Sequence, residues 1–252
     1  MRKLEGGFIN NVFLENGIVI KIFSNDNLVG TPSHERLERE RRALSIFGGT
    51  LAPRLISNKD VTLHQEFIEG ESYETMARQG EKVFEVAGSM LAKVHRFKFS
   101  NRIPPSYYLG RFEKAIKLAR PVLNLEQIFP RFEVAWDIVY ELGMRYIHGD
   151  FWLGNIIGKI GKEPKIIDWE FSGAGSPYED FAIVDLWIFR EFADSEQDFW
   201  RGYGFRPNQE TINSFLILRC IEFLATVTLE NYLKEEKDGF YHNKITTLGS
   251  LI

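Results

Sequence analysis

Short apolar runs alternate with polar breaks over the first two dozen residues. The runs "FINNVFL" and "IVIKIF" are separated by Glu15-Asn16-Gly17. Asn-Gly between two such runs is a strong hairpin signal, because a tight hairpin turn needs positive φ at positions where Asn and Gly tolerate it. A hairpin with a Gly-Gly entrance is expected. The period then changes: Thr31 offers an N-cap and Pro32 an N1 proline for a helix through "SHERLERERRALSIF", which Gly48-Gly49 end. Leu37, Leu44 and Phe47 lie on one stripe of this helix, and Glu40 falls between them on the inward side. A carboxylate there requires a cation. After Pro53, "RLISNKD" and "VTLHQEFIEG" predict two further strands around an Asn58-Lys59-Asp60 turn, ending at Gly70.

From Gly70 onward the pattern is mostly helical. "EKVFEVAGSMLAKVHRF", a segment beginning near Pro130 ("RFEVAWDIVYELG"), "YEDFAIVDLWIFREF" and "TINSFLILRCIEFLATVTLENYL" all carry helical periodicity. Between the second and third, "IIGKI" and "KIIDWE" predict a short hairpin closed through "GKEP". The expected architecture is α+β, with a small β-rich lobe over residues 1–69, a hinge near Glu66 to Gly70, and a larger helical lobe over 70–252. The most apolar stretch, "SFLILRCIEFLATVTL", carries Arg219 and Glu222 in its middle. That suits a buried amphipathic helix better than a membrane span, so no membrane partner is expected.

Composition narrows the function classes. With 252 residues, 44% hydrophobic and 26% charged, the chain is long enough for one large domain or two lobes with a cleft between them. A net charge of −4 and the absence of a Lys/Arg-rich run leave no basic surface for a phosphate backbone, and nucleic acid is not an expected partner. The lone Cys220 cannot form an internal disulfide, and "MRKLEGGFIN" lacks the apolar core of a signal peptide. A cytoplasmic location is expected. Cys220 itself suits a small core residue better than a nucleophile.

The chemistry is concentrated in "YIHGDFWLGNII", Tyr146 to Ile157, and in "KIIDWE". Asp150 and Asn155 fall on a loop between a helix and the short hairpin, and Asp168 ends the next strand thirteen residues after Asn155. Two carboxylates and an amide at one mouth make an oxygen-only donor set that suits Mg²⁺, an ion usually completed by water and substrate phosphates. Asn155 and Asp168 can hold it, leaving Asp150 to orient a hydroxyl and take its proton. The alternative for each residue singly is a loop-forming Asp or Asn that satisfies local backbone groups. The joint spacing favours phosphoryl transfer.

D-x-x-x-x-N followed by a strand-ending Asp matches the arrangement of the protein-kinase signatures, with "HGD" in place of H-R-D and "DWE" in place of D-F-G. Those departures resemble the aminoglycoside phosphotransferase and choline kinase family, whose H-G-D-x-x-x-x-N, I-D-W/F-E/D and P-x-x-D-L/I-A motifs stand here at His148 to Asn155, Ile167 to Glu170 and Pro177 to Ala182. "LAKVH", Leu91 to His95, is similar to the family's L-A-x-L-H. The resemblance implies a protein-kinase-like fold with a nucleotide cleft between its lobes, Mg²⁺ as cofactor and ATP or GTP as phosphoryl donor. It implies Asp150 as catalytic base, Asn155 and Asp168 as metal ligands, His148 as a brace for the loop, and Asp180 as a buttress. Lys21 matches the strand lysine that contacts the α- and β-phosphates, and Glu40 the helix carboxylate that pairs with it. "GGFINNV" supplies Gly7, Asn10 and Val12 of the family's nucleotide loop without its frequent small hydroxyl residue. Backbone groups of Glu66, Phe67 and Ile68 are expected against the purine.

Only eleven residues separate Asp168 from Asp180, and no A-P-E element follows, which leaves little room for a peptide-docking segment. A small hydroxyl-bearing molecule is the expected acceptor: an amino alcohol, aminoglycoside or sugar-like compound. Glu191, Asp194, Glu196 and Asp198 lie close together with Trp187 and Trp200 on either side. An acidic, aromatic pocket built from Glu191, Asp194 and Trp187 would suit a cationic substrate; the alternative is a solvated acidic helix end. Two other functions stay open: a nucleotide-binding scaffold without transfer activity, and an atypical protein kinase.

Overall fold

A computed structural model describes residues 1–4, 10–24, 31–100, 143–159 and 161–230, with 107, 108, 110, 111, 113, 114 and 117 between them. Gly7 and the helix expected from Pro130 lie outside the described residues. The amino-terminal part is an antiparallel sheet of β1 (Arg2–Lys3), β2 (Asn11–Glu15), β3 (Ile18–Ile22), β4 (Leu55–Lys59) and β5 (Thr62–Glu66), in the order β1-β2-β3-β5-β4. Asn16 and Gly17 close the first hairpin at φ 51° and 77°, as the Asn-Gly signal requires, and Asp60 turns β4 into β5 at φ 51°. Along β3 the buried positions are Val19 and Lys21, followed by Phe23. The two-residue period of a strand therefore sends a lysine inward with two apolar neighbours.

Helix α1 (Ser33–Phe47) follows, one residue later than the Thr31 cap predicts: Pro32 itself occupies the N-cap, in an extended conformation its ring permits. Gly48 ends the helix, donating its N–H to Leu44 O at 3.0 Å. The buried face of α1 is Arg36, Leu37, Glu40, Ala43, Leu44 and Phe47. Two charges on an otherwise apolar stripe must be paired inside the protein.

The remaining elements are mostly helical. Strand β6 (Glu71–Ser72) leads into α2 (Tyr73–Arg78), whose six residues are too few to show a period and whose N-cap Ser72 accepts from Thr75 N at 3.1 Å. Then come α3 (Phe84–His95), β7 (Arg145–Ile147), β8 (Ile156–Gly158), β9 (Lys165–Ile166) and β10 (Gly173–Gly175). Strands β8 and β9 form the expected antiparallel hairpin, with β6 on its other edge, while β7 pairs with β10. Helix α4 (Pro177–Val184) begins with the proline at N1 and passes into a π-helical turn, Asp185–Phe189, where the periodicity predicted one continuous helix. Helices α5 (Ser195–Tyr203) and α6 (Gln209–Glu230) complete the described chain. None of the described helices is long and apolar enough to cross a membrane.

Helices α3 and α5 touch backbone to backbone. A Cβ on Gly88 would stand 2.0 Å from Phe199 O, and one on Gly202 would stand 1.8 Å from Glu85 O. Both distances are far below contact, so each glycine holds the seam closed from its own side. Gly202→Ala is therefore expected to cost roughly 3 kcal/mol, the upper end of ordinary overpacking, because the obstruction is backbone and cannot rotate away. A melting temperature within a degree of the parent's would show that the helices separate without penalty.

Candidate active site

The loop after β7 is held from below. Asp180, fully buried on α4, accepts from His148 N at 2.8 Å through Oδ2 and from Gly149 N at 2.7 Å through Oδ1. Burial alone would raise its pKa; the hydrogen bonds from His95 and the His148 amide hold it below the ordinary carboxylate value. His95 completes the cradle: Nε2 lies 2.9 Å from Asp180 Oδ2, and Nδ1 lies 2.9 Å from the Tyr203 hydroxyl. Gly149 sits at φ 82° with Phe171 O 2.3 Å from where a Cβ would be, so no other residue fits the turn. His148 Nε2 donates to Ile167 O at 3.0 Å and Nδ1 accepts from Asp150 N at 3.3 Å, a neutral tautomer that joins the Asp150 loop to the Asp168 loop.

Burial depresses the pKa of His148. The folded protein therefore binds this proton less readily than the unfolded chain, and stability is full above the ordinary 6.5 and falls as pH drops below it. Asp180 adds a further loss below 3.8. Glu40, raised by burial, works in the opposite sense above its ordinary 4.5, so the informative comparison is with a variant. A melting-temperature series in pH is expected to show a shallower acid slope below 6.5 for His148→Gln than for the parent; parallel curves would exclude His148 as the source.

Asp150 stands at the mouth of this loop. Its pKa is pushed up to about 7, first by burial and then by the Asp168 charge, against the opposing pull of Arg219 and the Asn155 hydrogen bond. Asn155 Nδ2 donates to Asp150 O at 2.9 Å and to Asp150 Oδ2 at 3.2 Å. The amide group thus has its nitrogen committed to Asp150 and its oxygen turned the other way. Asp168, at φ 64°, accepts from Lys21 Nζ at 2.5 Å through Oδ1, and its side chain is 39% exposed. Burial works against its ionisation, but the Lys21 ammonium holds its pKa below the ordinary value. The Asn155 and Asp168 oxygens are hard, mostly anionic donors, as Mg²⁺ prefers. Among the described residues no group of three or more His, Cys, Asp or Glu is placed to cage a metal without help from a ligand.

Lys21 bridges two carboxylates. Nζ donates to Glu40 Oε2 at 2.5 Å and to Asp168 Oδ1 at 2.5 Å, and lies 4.0 Å from Glu170 Oε2. Burial would lower its pKa, yet Asp168, Glu40 and Glu170 together raise it, so the ammonium stays charged. At the hinge, Glu66 N and Phe67 N are bonded within the sheet, to Arg54 O at 2.9 Å and Gly17 O at 3.3 Å. Of the three expected hinge amides, only that of Ile68 has no hydrogen bond among the described residues. Gln65, one residue earlier, is buried with Oε1 unpaired among the described residues.

A helix carboxylate, a strand lysine, an H-G-D loop and a strand-ending aspartate thus share one cleft. Residues 1–213 match the model of the phosphotransferase enzyme family. The chain belongs to that family. No curated protein sequence matches it significantly. Among solved structures, this phosphotransferase is similar to the choline kinase LicA of Streptococcus pneumoniae (19% identity, TM-score 0.71, 99% of this chain and 92% of that one). It is also similar to an ethanolamine kinase of Plasmodium vivax (15%, 0.68, 98% and 80%) and to an ADP-bound aminoglycoside phosphotransferase (16%, 0.63, 98% and 90%). At these identities the likeness shows the protein-kinase-like fold, with a sheet-rich lobe over a helical one.

The residues expected to form the acceptor pocket are less uniform. Trp187, on the π turn, lies 6.4 Å from Trp152 of the H-G-D loop, ring to ring. Asp194, at φ 64°, lines a shallow depression with Phe189, Phe192, Glu196 and Gln197. Glu191 donates its backbone N–H to Ile188 O. Glu196 and Asp198 pair with Arg206 and Arg201, and Trp200 is buried in the aromatic core, so these three belong to a solvated face and its support. Several residues of the site escaped the motif reading. Arg219 Nη2 donates to Gly149 O at 3.0 Å, and Glu222 accepts from Arg111 at 2.9 and 3.0 Å. Arg111 and Tyr108 also donate to Glu179, each at 2.6 Å. The signal for Arg219 and Glu222 was two charges inside the most apolar segment; Tyr108, Arg111 and Glu179 had none.

Proposed function

We propose that this phosphotransferase is a Mg²⁺-dependent small-molecule kinase working in the cytoplasm, with the lobe boundary at 69/70. It transfers the γ-phosphoryl of ATP or GTP to a hydroxyl of an amino alcohol, aminoglycoside or sugar-like acceptor. The observation that carries the reading is the convergence of Asp150, Asn155, Asp168 and Lys21, with the Asp150 loop fastened by Asp180. Asn155 and Asp168 would hold Mg²⁺, which supplies charge neutralisation at the phosphates. Lys21 would contact the α- and β-phosphates while Glu40 keeps it in place. The loop from Gly7 to Asn10 and the hinge from Glu66 to Ile68 would receive the rest of the nucleotide. Asp150 would align the acceptor hydroxyl and take its proton as oxygen bonds to the γ-phosphorus and the bond to the β-γ bridging oxygen breaks, releasing the nucleoside diphosphate. His148 and Asp180 would act through the loop's shape. Trp187, with Trp152 beside it, and the carboxylates of Glu191 and Asp194 favour an ammonium-bearing acceptor.

The test is nucleotide consumption with Mg²⁺, for ATP and GTP in parallel, across hydroxylated amines, aminoglycosides and sugars, with Asp150→Asn as the blank. Consumption that depends on one acceptor and vanishes in the variant supports the reading and names the acceptor class. Nucleotide binding without transfer to any compound or protein would favour the scaffold function, and phosphate incorporated into protein would favour the atypical protein kinase.

A further inference from the structure

Glu170, the last residue of "DWE", takes no part in the chemistry proposed above, yet its side chain is 2% exposed and sits where the two lobes meet. Its Oε2 accepts from Asn10 Nδ2 at 2.7 Å and from Arg36 Nη1 at 2.8 Å, with Lys21 Nζ 4.0 Å away. Arg36 is fully buried on α1; its Nη1 also donates to Asn10 Oδ1 at 3.2 Å and its Nη2 to Ser24 O at 3.0 Å. Asn10 Oδ1 receives Ser24 N at 3.3 Å as well. Both ends of the Asn10 amide are therefore engaged by protein groups. Asn10 is thus held by the chain at the end of the loop expected to carry phosphate.

We propose that Glu170 is a positioning residue: through Asn10 and Arg36 it clamps the end of the nucleotide loop and helix α1 to the segment that bears Asp168. Four segments meet at this carboxylate: the loop end at Asn10, β3 at Lys21, α1 at Arg36, and the Asp168 loop two residues upstream. Buried charge makes the arrangement specific. Arg36 and Lys21 face Glu40, Asp168 and Glu170, and a buried guanidinium that loses its carboxylate is costly to keep in place. Phe47, from the same helix α1, stacks on Trp169 beside Glu170 with ring centroids 5.1 Å apart, so an apolar contact holds the partners in register. The placement of the Asn10 loop end and α1 against the Asp168 segment is then fixed by contacts within the chain itself. Without the clamp only a fraction of molecules would hold the binding geometry, and apparent nucleotide affinity would fall by that fraction.

The clamp itself stands on contacts within the chain; its effect on nucleotide rests on the kinase reading above. Two measurements separate them. Amide hydrogen exchange on the nucleotide-free protein compares the parent, Glu170→Gln and Asn10→Ala. Both variants are expected to exchange faster over residues 1–24 and the first turns of α1, with α3, α5 and α6 unchanged. Unchanged exchange in the amino-terminal segments of both variants overturns the clamp. Titration with Mg·ATP then reads the coupling. Each single variant is expected to weaken binding about tenfold, and the double variant little more, because both break one device. Fully additive losses would mean that the residues act separately and would overturn it as well. A parent that binds no nucleotide while the exchange pattern holds would remove the kinase reading and leave the clamp standing. Should Glu170→Gln fail to fold, Asn10→Ala carries the exchange test, because it removes one side of the contact without leaving Arg36 uncompensated.

Discussion

Asp150→Asn is expected to bind Mg·ATP as tightly as the parent and to turn over roughly 10²–10⁴ times more slowly. The amide is nearly the same size as the carboxylate and can still receive the Asn155 Nδ2 bond, so the loop keeps its shape. What is lost is a proton acceptor, which burial and the Asp168 charge hold near neutrality at a pKa of about 7. A base whose pKa lies near the working pH is largely free of its proton yet basic enough to take one, so its removal falls on the transfer step. Isothermal titration with Mg·ATP and steady-state turnover are the two measurements needed. A variant that loses nucleotide affinity in proportion to its turnover would move Asp150 from the acceptor side to the donor side of the reaction.

Asp180→Ala is expected to lower stability by roughly 3–5 kcal/mol, the cost of opening a buried hydrogen-bonded charge site. Three donors lose their acceptor at once: His148 N–H, Gly149 N–H and His95 Nε2. His95 cannot turn to water without unpacking Phe181, whose ring sits 5.5 Å from its own. Asp180→Asn keeps an acceptor for one of the amides and should fall between the two. Chemical denaturation followed by tryptophan fluorescence reads the difference; a loss under about 1 kcal/mol would mean that the loop finds other acceptors.

Much of the fold was legible because local chemistry and global arrangement agree. Asn16-Gly17 needed positive φ and has it, and Gly48 ends α1. The π turn was not legible: its residues keep an apolar pattern that reads equally well as continuous α-helix, and the extra residue in the turn is settled by packing. In the cleft, Glu40 announced itself as a carboxylate on an apolar stripe. Arg36 did not, although it sits one turn earlier on the same face, because an arginine near a helix start has so many surface uses. Glu170 and Asn10 stood inside recognised motifs, but which atoms they touch depends on partners 160 residues apart in sequence. The acidic run after Trp187 was the least readable, since pairing with Arg201 and Arg206 is decided by where α5 begins and ends.

Arg36 and Glu40 are four residues apart, hence nearly superposed along one face of α1. One holds the carboxylate two residues beyond Asp168; the other holds the strand lysine. A rigid helix cannot satisfy one and release the other: a twist of a few tens of degrees about its axis, or a slide by one turn, breaks both ties together. The lysine and the aspartate loop therefore share a single mechanical coordinate. Whatever moves α1 by that much loosens the lysine and the Asp168 segment in the same step.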